Sequence, residues 1–365
     1  MRLRHLLLAL LLPPLLGQAP LGLPARLDDG WAVGDAAEAG FDAPGLQALL
    51  AQVRDGGLNL HGLLVERHGR LVAELYRRGR DRSVFSLFPR TRAFGPRDLH
   101  DTRSVGKSVI GLLVGLEVQA GRIPGVEAPV APLLGCPRPA AEGVTVAQLL
   151  GMSSGLRWQE GGPGRDDEHR LMWAWDPVRY ALDRPRATAP GTAFTYDSGG
   201  TAALAALVAR CEGRPWTEVA RTAIFEPLGI RGAVWITDLF GRPMAYTGLR
   251  MRPRDMAKLG RLVLNRGRWG DRQLVPSAWI DACLTPRLAT GFEDTRYGYQ
   301  WWTGTVAWRG RALPWAAAFG NGGQRIYVVP ELDLCVVTTA GAYGDLASAR
   351  RIQALFRALV ATVRG

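Results

Sequence analysis

Ser104 and Lys107 stand three residues apart in the segment Asp101-Thr102-Arg103-Ser104-Val105-Gly106-Lys107-Ser108, which opens a helix predicted to run to about Gln119. At that spacing both side chains lie on one helix face. A serine hydroxyl is a poor nucleophile until a base takes its proton. A lysine one turn along can be that base if burial lowers its pKa. The helix N-terminus adds partial positive charge where an oxyanion would develop. Ser104, Lys107, Ser108, Gly111 and Gly115 share a small, polar stripe, while Val109, Ile110, Leu112, Leu113, Val114 and Leu116 cover the other faces. The helix therefore reads as buried, with Asp101 and Thr102 as caps and Gly121 and Pro124 as its stop. The chemistry implied is acyl transfer through a serine.

Two other readings of nearby serines fail on context. Gly106-Lys107-Ser108 suggests a phosphate-binding loop, but that motif needs a glycine where Asp101 stands. Gly151-Met152-Ser153-Ser154-Gly155 matches the nucleophile elbow of α/β-hydrolases. The elbow must join a strand to a helix and be followed by an acid and a histidine. Here a Gly-rich polar stretch follows and no histidine occurs after His169, while His61, His68 and His100 lie upstream. No Cys-x-x-Cys pair or His-Glu-x-x-His is present, so the sequence supports no metal site, and the chemistry calls for no cofactor.

The elements that must position Ser104 come from both ends of the chain. Residues 61–78 read as a hairpin, with strands around Leu63–Val65 and Leu71–Ala73 and a turn at His68-Gly69. Arg325–Val329 and Leu334–Thr338 are two more strands joined by Pro330-Glu331-Leu332-Asp333, and Leu346–Val363 has helical spacing. Helical signals dominate between, at Val146–Leu150, Thr201–Ala209, Trp216–Ile224, Pro253–Asn265 and Pro276–Cys283. Gly161–Arg170 reads as an exposed polar loop that could rim a cleft. This order predicts an α/β lobe from residues 26–103 and 291–365, with a mainly helical lobe, 104–290, inserted between.

The chain has 365 residues and a formal net charge of +12, carried mostly by arginine. The arginines are scattered and interrupted by acids, so the charge reads as a solvated surface and nucleic acid is not an expected partner. Residues 1–25 read as an export signal: Arg2, Arg4 and His5, then the apolar run Leu6–Leu16, then the small residues Gly17-Gln18-Ala19. The expected location is periplasmic or secreted, with no membrane partner once the leader is removed. Cys136, Cys211, Cys283 and Cys335 are equally compatible with disulfides and with free thiols.

Taken with its neighbours, the Ser104 helix resembles the first motif of the serine β-lactamase and penicillin-binding superfamily. Val144–Leu150 followed by Met152-Ser153-Ser154-Gly155-Leu156 is similar to that family's helix and turn. Pro190-Gly191-Thr192-Ala193-Phe194-Thr195-Tyr196-Asp197-Ser198 is similar to the stretch holding its second motif. Glu226–Gly229 and Tyr297–Trp302 also agree, so the likeness covers roughly residues 60 to 340 in order. It is strongest to the class C-like branch of esterases and 6-aminohexanoate-dimer hydrolases. The resemblance implies an antiparallel sheet flanked by helices. It implies Ser104 as nucleophile, Lys107 as its partner, Tyr196 as second proton-transfer group, and Ser198 as a residue positioning Lys107 or substrate. Where the family's third motif carries Lys-Thr-Gly, this chain reads Ala318-Phe319-Gly320-Asn321-Gly322-Gly323-Gln324-Arg325-Ile326, with no lysine. Gly320 and Gly322 let the backbone approach a substrate closely. The N–H of Asn321 is expected to complete an oxyanion hole with that of Ser104. The resemblance thus implies a hydrolase of a small or linear amide or ester. A β-lactamase or D-alanyl peptidase is the alternative, and a binding homologue without activity the third possibility.

Overall fold

A computed structural model describes residues 21–161 and 166–364. Its frame is a nine-stranded sheet. The spatial order is Ala32–Val33, Arg70–Tyr76, Leu60–Arg67, Leu334–Ala340, Gln324–Val329, Arg311–Gly320, Trp302–Trp308, Arg296–Tyr297 and Leu288–Ala289. Every pairing is antiparallel except that of the short first strand with Arg70–Leu71. Both hairpins predicted from sequence form, and the His68-Gly69 turn takes the left-handed conformation at both residues. The strands Trp302–Trp308 and Arg311–Gly320 were not foreseen, because Trp, Gly and Pro interrupt their apolar alternation.

Alternation along the strands divides the core into two layers. On one face Leu63, Val65, Tyr327 and Val336 pack with Phe356 and Leu359 of the C-terminal helix Leu346–Ala361 and with Leu46 and Leu50 of the helix Ala43–Asp55. On the other, Leu64, Ile326, Val328 and Val337 pack with Val105 and Val109 of the nucleophile helix Val105–Gln119 and with Met256 and Leu259. The last two belong to the helix Pro253–Leu264, which lies across Leu334–Ala340 and Gln324–Val329 although its sequence position is inside the predicted helical insertion. Gly260 permits that approach, since a side chain there would overlap the Cys335 thiol. The same helix anchors the segment around residues 25–29. Arg254 is buried, donates to Glu74 at 2.8 Å and to Asp29 at 2.9 Å, and reaches the Ala25 carbonyl. Removing one partner of such a buried pair costs about 3–5 kcal/mol.

Residues 21–25, the end of the expected leader, are bonded to the body: Gly22 accepts from the Glu74 N–H and Leu21 from Gln47. The rest of the leader, residues 1–20, lies outside the described residues. Asp101 and Thr102 do not cap the nucleophile helix. Asp101 pairs in a strand and accepts from Val84 N–H, and the Thr102 hydroxyl donates to the Leu249 carbonyl. Asp166 to Arg170 are not loop, because Asp166 caps a helix, Asp167–Trp173, and Asp167 is buried. All four cysteines are free thiols.

Candidate active site

Ser104, the expected nucleophile, sits where strand pairing gives way to the helix. Thr102 is held by its N–H on the Leu249 carbonyl, Arg103 takes a left-handed φ of 52°, and Ser104 begins the helix. A non-glycine residue in that region is strained, and strain of this kind concentrates at functional sites. Arg103 is fixed there by its guanidinium, 4.5 Å from the Tyr343 ring centroid and donating to the Arg82 carbonyl.

Lys107 follows one turn later and is buried. Its ammonium donates to Ser104 Oγ at 2.9 Å and to the Tyr246 carbonyl at 2.9 Å, and lies 4.9 Å from the Tyr196 ring centroid. The small stripe behind Lys107 lets other elements close in. Ser108 donates to the Gln300 carbonyl, a side chain at Gly111 would come within 2.9 Å of Gln300 Cβ, and Trp279 packs where a Gly115 side chain would be.

Tyr196 reaches the site from a distant segment. The turn Met152–Gly155, which imitated a nucleophile elbow, holds that segment. Gly191 N–H donates to Ser153 O, Thr195 N–H to Met152 O, and Ala187 N–H to Gly155 O. This turn follows the helix Val146–Leu150 and Ser153 Oγ is turned towards the Gln148 carbonyl, so Ser153 is a structural residue. Asp197 caps the helix Ser198–Glu212 through Gly200 N–H. Ser198 is buried, and its hydroxyl has no partner among the described residues, Lys107 included. Its backbone N–H instead donates to Glu160 at 2.6 Å.

Glu160 and Glu168 were not foreseen as site residues, since each is one acid in a polar stretch without distinctive spacing. They change the electrostatics. Burial pulls the Lys107 ammonium down, but Tyr196, Glu160 and Glu168 outweigh it and hold the lysine above its ordinary value. The lowering expected from burial alone is therefore reversed. Burial raises the Tyr196 phenol, with Lys107 and a hydrogen bond from Ser104 opposing the rise and Glu160 adding to it. The Glu160 carboxyl is lifted to about 8, chiefly by burial, with Lys107 opposing and Glu168 reinforcing. Both shifts favour the protonated forms of Lys107 and Tyr196, and the pair acts as a base only after releasing one proton.

These groups open into a cleft of about 540 Å³ that Ser104, Tyr196, Glu160, Glu168, Gly320, Asn321 and Gly322 line together. One wall is aromatic: Trp302 lies 5.7 Å from Tyr196 and stacks on Phe319 at 5.2 Å. Gly320 ends its strand against the nucleophile turn, where a side chain would overlap the Thr102 carbonyl. Gly322 has a φ of 90° and faces the Tyr343 ring. The N–H groups of Ser104 and Asn321 are both without a hydrogen-bond partner among the described residues, while the Asn321 side chain accepts from Gly344 N–H. Two unpaired backbone donors at the cleft edge suit an oxyanion.

With this geometry in place, the comparisons with known proteins agree on the class. The beta-lactamase family profile matches residues 22–358, and the chain belongs to that family. A 6-aminohexanoate-dimer hydrolase from Paenarthrobacter ureafaciens is 27% identical over 296 residues, covering 75% of this chain and 70% of the relative. EstCE1, described as a hydrolase with promiscuous acyltransferase activity, superposes with a TM-score of 0.66 at 16% identity, covering 87% of this chain and 98% of its own. A penicillin binding protein from Bacillus halodurans gives a TM-score of 0.62 at 19% identity, covering 82% and 97%. The chain is a serine hydrolase of the beta-lactamase fold.

Proposed function

We propose that this enzyme hydrolyses a small or linear amide or ester through an acyl-enzyme on Ser104. The observation that carries the reading is the contact of Lys107 Nζ with Ser104 Oγ, with Tyr196 over the same ammonium in one cleft. In the active form the Lys107–Tyr196 pair has lost one proton. It accepts the Ser104 hydroxyl proton as Oγ attacks the carbonyl and delivers it to the leaving amine or alcohol. The oxyanion rests on the N–H groups of Ser104 and Asn321. Water then attacks the acyl-enzyme, with the same pair taking and returning a proton.

The aromatic wall of Trp302, Phe319 and Tyr196 favours an apolar acyl or alkyl group beside the reacting carbonyl. A β-lactam carboxylate would need a free cation. The cation within the third motif is Arg325, which is buried with Nη1 donating to the carbonyls of Gly320 and Gln324. The leader reading adds that the enzyme acts outside the cytoplasm.

The test is fluorophosphonate labelling with a screen of p-nitrophenyl esters and anilides, using Ser104→Ala as control. Labelling and turnover that vanish in Ser104→Ala are expected. Labelling that survives Ser104→Ala overturns the nucleophile, and none in the wild type favours a binding protein. Rapid opening of a chromogenic cephalosporin would move the substrate class to β-lactams.

A further inference from the structure

A second feature of the surface is independent of the catalytic chemistry. The hairpin Gly79–Asp81 and Arg90–Arg92 ends in a loop whose large apolar side chains stand in solvent: Phe85, Leu87 and Phe88 are 48%, 84% and 77% exposed. Between residues 77 and 97 the chain has seven arginines and one carboxylate, Asp81. Asp81 is already engaged, accepting from the Tyr343 hydroxyl at 2.7 Å with Arg92 at 3.9 Å. Arg92 also pairs with Asp98, and Arg77 is held by the carbonyls of Leu58 and Gly56. The other five, Arg78, Arg80, Arg82, Arg90 and Arg97, are exposed. None of them pairs with a carboxylate among the described residues. The sequence showed scattered arginines, whereas the fold gathers them around an apolar tip.

The hairpin is held in place rather than loose. Val84 N–H donates to Asp101, Arg103 donates to the Arg82 carbonyl, and Asn59 donates to the Arg80 carbonyl. A fixed loop that exposes two phenyl rings and a leucine carries a standing solvation cost unless something covers them. A second copy meeting this surface through a two-fold axis would bring the same arginines face to face. An anionic lipid surface has the complementary charge. The apolar tip suits the boundary between headgroups and acyl chains, and the guanidinium groups suit lipid phosphates.

We propose that this hairpin docks the enzyme on an anionic phospholipid bilayer, in place of the expectation that the mature chain has no membrane partner. The docked loop is close to the catalytic machinery. Arg103, which binds the Arg82 carbonyl, directly precedes Ser104, and Ala342 and Asp345 line both the catalytic cleft and the neighbouring arginine-lined cavity of about 640 Å³. Docking therefore holds the cleft beside the lipid surface, where esters and amides of amphiphiles concentrate.

The test is hydrogen exchange read by mass spectrometry on the full chain with vesicles of phosphatidylcholine alone or mixed with phosphatidylglycerol. The readout is confined to residues 83–89, so adsorption of the apolar leader does not imitate it. Exchange of that segment should slow at least fivefold with the anionic vesicles only, and recover as salt is raised. The variant Phe85→Ser/Leu87→Ser/Phe88→Ser should lose the protection and keep its melting temperature. Arg82→Gln/Arg90→Gln should weaken vesicle binding roughly twenty-five-fold, given about fivefold per arginine. Unchanged exchange with anionic vesicles overturns the proposal, as does equal protection by phosphatidylcholine alone. Protection that grows with protein concentration without lipid also overturns it and assigns the surface to a second copy. The wild-type salt and lipid dependence decides the matter even if a variant fails to fold.

Discussion

Replacing Lys107 by methionine separates the catalytic role proposed for this residue from its structural one. Methionine fills a similar volume and is apolar, so the nucleophile helix keeps its packing. The lost proton-transfer group should lower kcat/KM by about 10²–10⁴-fold, the range for general acid–base catalysis, equal to roughly 3–5.5 kcal/mol of barrier. The stability terms add. The Tyr246 carbonyl, bonded at 2.9 Å, loses its donor. An orphaned buried acceptor costs about 1–3 kcal/mol. The attraction of the ammonium to Tyr196, Glu160 and Glu168, which outweighs its desolvation, is lost with it. The variant should therefore melt a few degrees below wild type and still fold. The assay pairs initial rates on a p-nitrophenyl ester with fluorophosphonate labelling and a thermal melt. A Lys107→Met enzyme that folds and keeps activity within tenfold of wild type would refute the reasoning.

Three further outcomes follow from named contacts. Glu168 helps hold Lys107 protonated, so Glu168→Gln should move the ascending limb of the kcat/KM–pH profile towards acid; a shift towards alkali would contradict the electrostatic account. Gly320→Ala would press a methyl into the Thr102 carbonyl beside the nucleophile, lowering stability by about 1–3 kcal/mol in urea and cutting activity with it; wild-type behaviour in both would show that the strand end can yield. The buried Glu66 carboxyl is raised to about 7 by burial, with Arg261 and the Gly69 N–H opposing. Because the folded value lies above that of the unfolded chain, the folded state holds more protons in between and its stability falls as pH rises towards 7. Glu66→Gln should therefore lose less unfolding free energy than wild type between pH 5 and pH 8, and equal losses would exclude this contribution.

How much was legible in the sequence depends on the range over which each feature is encoded. Ser104 and Lys107 are one turn apart, so helical geometry alone put them together, and the same local reasoning found the two hairpins and the C-terminal helix. Context also eliminated the elbow at Ser153 and the phosphate loop. Tyr196 was found only through resemblance, because nothing in the 91 residues between it and Ser104 fixes where it lands; the tertiary structure places it, through the turn at Met152–Gly155. The direction of the Lys107 shift differs from what burial alone implies, since a pKa sums over every nearby charge and the acids at 160 and 168 arrive from a stretch with no periodicity. The third-motif backbone illustrates both sides. Sequence marked Gly320–Gly322 as a close-approach segment from composition, but only the fold shows that Gly320 abuts Thr102 and that the N–H groups of Ser104 and Asn321 at one cleft have no partner among the described residues. Residue type and short spacing thus fixed what chemistry was available. The long-range packing of sheet, helix and loop decided which charges share the site and which face of the molecule carries the free arginines.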